Sequence, residues 1–122
     1  MAMAAIVMGA MAWSGTLGAQ AATRPVDQAT AVIRAVFAAA ERADLAALDT
    51  LYAGDSLTVF ESAGINRGWK DYRDHHLGPE LKEMTGFKYR PIEIVTRVDG
   101  KLAWATVAYA LQAKEGTRTI DN

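Results

Sequence analysis

Two adjacent histidines, His75 and His76, are the only side chains of this 122-residue chain that ordinarily titrate near neutral pH. A general acid or base that works without a shifted carboxylate must therefore be one of them. Neighbours on a helix point about 100° apart, so only one of the two can face a pocket. Tyr72 stands four residues before His76, and Asp71 four before His75, which puts each pair on one helical face. An inward-turned Tyr72 carries His76 with it and leaves His75 to pair outward with Asp71. His76 is thus the expected proton shuttle and Tyr72 the expected hydrogen-bond donor. The alternative is a rim histidine and a core tyrosine without chemistry.

Other reactive constellations are thin. His76 and Glu80 have the spacing of a helical metal-ligand pair, but Gly78-Pro79 lies between them, where it is expected to break the register, and no third ligand follows. No metal and no cofactor are expected. There is no Gly-x-Ser-x-Gly elbow, phosphate loop or dinucleotide fingerprint. Arg67, Lys70 and Arg73 form a small basic run that reads as a solvated face or as a lure for an acidic ligand. The chain carries 13 Lys and Arg against 14 Asp and Glu, a net charge of -1, which leaves no electrostatic footprint for nucleic acid. Cysteine is absent, so thiol nucleophiles, disulfides and thiolate zinc sites are excluded.

The elements that must position these residues can be read from periodicity. Val26, Ala29, Ile33, Val36, Phe37 and Ala40 recur at helical spacing, predicting an amphipathic helix from about Val26 to Arg42. Asp44 reads as the N-cap of a short second helix with Leu45, Leu48 and Leu51 on its apolar side. Ser56 to Glu61 reads as a strand followed by a loop, and Gly68 to Leu77 as a third helix kinked at Gly78-Pro79. Two long strands follow, about Phe87 to Val98 and Lys101 to Ala113, with Asp99-Gly100 as a type I′ hairpin turn. The alternation of the first changes phase near Pro91, which predicts a bulge. Thr117 to Asn122 begins a further strand.

This order, with Arg42-Ala43-Asp44-Leu45, Leu51-Tyr52-Ala53-Gly54-Asp55, Gly68-Trp69 and Ala103-Trp104-Ala105, resembles the SnoaL-like, nuclear transport factor 2-like superfamily, which includes polyketide cyclases and ketosteroid isomerases. The resemblance covers about Val26 to Asn122. It implies an α+β cone-shaped roll, with helices packed on a curved antiparallel sheet around a blind apolar pocket. By that resemblance Trp69, Tyr72, His76, Tyr89, Trp104 and Tyr109 line the pocket. In a gapless match to the ketosteroid isomerases their carboxylate base falls on Phe60, with Glu61 one residue on and facing away, although a bulge would bring Glu61 into the pocket. Val36 takes the place of their oxyanion-stabilising tyrosine, and valine donates no hydrogen bond. Steroid isomerisation is therefore disfavoured. The resemblance also implies a homodimer through the sheet, for which the face bearing Val107, Tyr109 and Leu111 is expected. The family roll has two more full strands, so the domain is expected to be incomplete at its C-terminus.

The first 23 residues carry no charge. An apolar run to Leu17, Gly15 and Gly18, and then Ala19-Gln20-Ala21 fit a signal peptide cleaved after Ala21. The run is shorter than the roughly 20 residues a membrane span needs. The expected organisation is a signal peptide at 1–21 and a domain at 22–122, secreted or periplasmic, with no stable membrane insertion after cleavage. Its partner is expected to be a small apolar or acidic molecule. The functional choice at this point lies between a cofactor-independent isomerase, cyclase or dehydratase and a non-catalytic dimerisation or interaction module of the cell envelope.

Overall fold

A computed structural model describes residues 23–61 and 64–122; the signal peptide and cleavage after Ala21 expected from the sequence lie outside the described residues. Helix α1 (Pro25–Glu41) opens with proline at its first turn, where the missing N–H costs nothing. Helix α2 (Leu45–Leu51) is capped as its sequence predicts, with Asp44 accepting from the Ala47 N–H at 3.0 Å. The two helices pack as a pair and bury Ala39, Ala40 and Leu48.

Strand β1 (Thr58–Glu61) does not lead into a loop. It pairs antiparallel with β2 (Gly64–Arg67), placing Val59 opposite Asn66 and Phe60 opposite Ile65. The hairpin inverts a simple hydrophobic reading: Phe60 and Ile65 are 75% and 51% exposed, while Val59 and Asn66 are partly buried.

Helix α3 (Trp69–Tyr72) continues through a π-helical turn, Arg73–Leu77, into α4 (Gly78–Glu83). Pro79 accounts for the wide turn. In α-helical register its ring would meet the carbonyl four residues back and no N–H would satisfy that carbonyl. The chain takes up the strain by an i to i−5 bond from Gly78 N–H to Arg73 O.

The main sheet has the order β3 (Met84–Asp99), β4 (Leu102–Glu115), β5 (Arg118–Asp121), all antiparallel. Strand β3 carries one extra residue at each of two places, between Thr85 and Lys88 and between Pro91 and Glu93. The second is the phase change expected at Pro91. The hairpin turn has Gly100 and Lys101 as its central pair, since Asp99 opposes Leu102. Only Gly100 has positive φ, at 57°, so the turn follows the II′ pattern, which needs glycine at the first central position alone. The core joins Leu48, Trp69, Tyr72, Leu77, Leu81, Phe87 and Ala113. It ties both helical layers to the lower half of the sheet. The result is an α+β roll with helices against a bent antiparallel sheet.

Candidate functional site

A cavity of about 450 Å³ lies between α1, the β1–β2 hairpin, α4 and the sheet. Its apolar wall is aromatic. Phe37 stacks on Tyr89 with centroids 5.1 Å apart, and Tyr109 packs against both. Phe87 lies nearly parallel to Tyr89, with centroids 6.1 Å apart. Glu61, Glu80, Asn122 and the tyrosine hydroxyls supply the polar groups of the lining, and no lysine or arginine is among the lining residues.

The polar wall is one connected cluster. Tyr72 Oη donates to Glu61 Oε2 at 3.2 Å. His76 Nε2 lies 3.4 Å from the same oxygen and 3.2 Å from Glu80 Oε1. Burial, and then the nearby charge of Glu61, push the Tyr72 phenol far above its usual range. Tyr72 therefore keeps its proton and remains a donor. Tyr89 is pushed up to about 12, chiefly by burial. Burial raises the Glu80 carboxyl above its ordinary value, a rise that the His76 side opposes and Glu61 reinforces.

That shift has a sign that can be measured. A carboxyl raised in the folded state favours folding while protonated. Its stabilisation is complete below the ordinary value of 4.5 and is lost as pH rises through the folded value. Glu80→Gln removes the titration. Urea unfolding at about pH 4 and about pH 7 should therefore show the variant gaining stability relative to the native chain as pH rises. A variant that instead loses stability relative to the native chain over this interval would contradict the assignment.

Several sequence expectations are corrected by this geometry. Glu61 faces Tyr72 and His76, and it does so without a bulge: β1 and β2 pair in unbroken register, and the face shared by Val59, Glu61 and Asn66 is the one turned toward the helix. Phe60 is left at the cavity rim. His76 itself is not among the lining residues; it stands behind Glu61 and Glu80, which are. Gly78-Pro79 does not break the contact between His76 and Glu80, because the π turn carries the helix onward. Tyr72, Tyr89 and Tyr109 line the cavity.

Trp69 and Trp104 do not line it. The Trp69 ring is buried, stacked on Tyr52 at 4.5 Å, and its Nε1–H donates to Asp49 Oδ1 at 2.7 Å. Trp104 has the opposite strand parity to Tyr109. It sits half exposed beside Val32 and Ile33 of α1, in a separate apolar groove. The same alternation turns Tyr109 and Leu111 into the cavity and so away from the outer face of the sheet.

His75 pairs with Asp71 at 2.9 Å, in line with their spacing. The basic run does not reach the cavity. Arg73 Nε lies 3.2 Å from Asp49 Oδ1, near enough for an ion pair but not aligned as a hydrogen bond, and Lys70 pairs with Asp74. Asp55 occupies the 3₁₀ turn Gly54–Ser56 before β1. Sequence reasoning missed Asn66, whose Oδ1 is 3.1 Å from His76 Nδ1; a lone polar residue in a short segment gives no signal of its own. Among the described residues, no three or more His, Asp and Glu side chains are arranged to hold a metal ion.

The profile of the SnoaL-like domain matches residues 29–120. The chain belongs to the SnoaL-like family. Its fold is also that of a candidate ketosteroid isomerase from Shewanella frigidimarina NCIMB 400, whose crystal structure was solved at 1.80 Å resolution. The two superimpose with a TM-score of 0.63 at 19% identity, over 75% of this chain and 73% of the other. No curated protein matches the chain in sequence. As a family member, the SnoaL-like chain departs from the isomerase pattern outlined above at Val36, which lines the cavity without a donor.

Proposed function

We propose that the protein is an exported small-molecule-binding domain that performs cofactor-independent acid–base chemistry, an isomerisation, cyclisation or dehydration, in its aromatic cavity. The observation that carries this reading is the single carboxylate oxygen, Glu61 Oε2, at the cavity wall within reach of both Tyr72 Oη and His76 Nε2. In this scheme Glu61 takes a proton from a carbon beside a carbonyl and returns it at another atom. His76, behind it, shuttles or stores the proton. Tyr72 turns its hydroxyl from Glu61 to the substrate oxygen on which negative charge builds. Two carboxylates and no lysine or arginine line the cavity, which favours a neutral, mostly apolar ligand over an acidic one.

A second reading, a dimerisation or interaction module, draws on a different observation. Leu102, Trp104 and Ile92 on the β3–β4 ribbon are 66%, 50% and 69% exposed, a concentration of apolar surface suited to a second copy. The uncharged leader supports export to the periplasm or medium; among the described residues no helix is long and apolar enough to cross a membrane.

Native mass spectrometry of protein expressed with its own leader tests these points together. The expected spectrum is twice the mass of a chain starting at Ala22, carrying a small adduct released on activation. Trp104→Asp should reduce that mass to the monomer while the adduct persists. An uncleaved chain overturns export, and a native-chain monomer overturns the dimer. A dimer without adduct removes support for the ligand-binding reading.

A further inference from the structure

Beyond the cavity wall a chain of hydrogen bonds runs outward from His76. Nδ1 meets Asn66 Oδ1 at 3.1 Å, Asn66 Nδ2 meets Asp71 Oδ2 at 3.2 Å, and Asp71 Oδ1 meets His75 Nδ1 at 2.9 Å. The Arg67 backbone N–H also donates to Asp71 Oδ2, at 3.0 Å. We infer that Asp71 and Asn66 are positioning residues that determine which ring nitrogen of His76 exchanges protons with the cavity carboxylates.

Donor and acceptor identities carry the argument. An ionised carboxylate only accepts, so the Asn66 atom facing Asp71 must be the amide nitrogen. Asp71 is held below the usual carboxylate range by the Arg67 N–H first, then by His75 and Asn66, so it stays ionised. With the amide oriented this way, its carbonyl oxygen is the atom presented to His76. A carbonyl also only accepts, and Nδ1 must therefore carry a hydrogen. The nitrogen left to gain and lose a proton is Nε2, the one that faces Glu61 and Glu80.

Without the carboxylate, Asn66 could turn its NH₂ group toward Nδ1. The neutral ring would then keep its hydrogen on Nε2, locked into a bond with the two glutamates. Asp71 thus acts on the cavity through two intermediaries, and its own side chain remains at the surface. The groups that bear on His76 come from every side: Glu61 and Tyr72 from the cavity wall, Glu80 from α4, and Asn66 backed by Asp71 and His75 from the hairpin side.

The inference rests on the acid–base reading of the site, but its test needs no substrate. Nitrogen-15 spectra of the full chain, titrated with pH and assigned by comparison with His75→Ala, report the two ring nitrogens of His76 separately. In the native protein Nδ1 should stay at its protonated position throughout while the titration shift falls on Nε2. In Asp71→Ala, which removes the oxygen that accepts from both Asn66 Nδ2 and the Arg67 N–H, the shift should pass to Nδ1, and Asn66→Ala should do the same if the first variant folds poorly. A native spectrum in which Nδ1 titrates overturns the proposal. Variants that leave Nε2 as the titrating nitrogen overturn the roles of Asp71 and Asn66. A protonated Nδ1 in a protein that neither binds a ligand nor turns one over would leave the positioning intact and overturn the acid–base reading alone.

Discussion

On the acid–base reading proposed for the cavity, Glu61→Gln should lower kcat/KM for isomerisation of a small cyclic β,γ-unsaturated ketone by about 10²–10⁴-fold, the usual contribution of a positioned general base. Formation of the conjugated enone, followed by ultraviolet absorbance, measures it. Glutamine keeps the shape and still accepts from Tyr72, which donates to Glu61 Oε2 at 3.2 Å, so the fold should survive and the loss should report proton transfer alone. His76→Ala should cost about 10–100-fold, the value of one hydrogen bond to a charged partner expressed as a rate, because His76 supports Glu61 from behind the lining. His75→Ala should cost far less than His76→Ala: its ring pairs with Asp71 at the surface, where the Arg67 N–H is the larger hold on that carboxylate. Equal losses at the two histidines would remove the distinction between them. Full activity in Glu61→Gln would remove the carboxylate from the chemistry.

Where regular geometry links residues, the sequence is a sound guide to this site. The spacing of Asp71 with His75 and of Tyr72 with His76 places each pair together on the helix. Strand parity separates Tyr109 from Trp104, and taking both as cavity residues overlooked that constraint. The failures arise where local pattern and tertiary packing disagree. In Thr58-Val59-Phe60-Glu61 the aromatic residue suggests an inward Phe60, yet the hairpin buries Val59 and Asn66 and aims Glu61 at Tyr72. Four residues offer too few alternations to settle a face, so the helix packed against the hairpin decides it. Gly78-Pro79 is legible as an irregularity, but its outcome is not. Proline excludes α-helical register at that point, and either a break or a π turn satisfies the exclusion.

The π turn makes Gly78 the residue whose enlargement should unsettle the site most. A Cβ built at Gly78 would stand 2.3 Å from the carbonyl oxygen of Arg73 and 3.5 Å from its carbon. Both are backbone atoms of the turn that Gly78 N–H closes, so no side chain can swing aside to make room. The glycine is needed for space and not for an unusual φ, which is −63° here. Gly78→Ala should therefore destabilise the protein by about 3 kcal/mol, at the upper end of overpacking effects, and lower Tm by on the order of 10–20 °C. Thermal unfolding followed by circular dichroism measures it. The turn also spans His75 and His76 and leads directly to Glu80, so its distortion should pull His76 Nε2 away from Glu61 and Glu80. In chain that still folds, Tyr72 should keep its contact with Glu61, since it precedes the turn, while the His76 ring resonances shift. An alanine variant with native Tm and native His76 resonances would show that the wide turn adapts at no cost, and that the histidine's position does not depend on it.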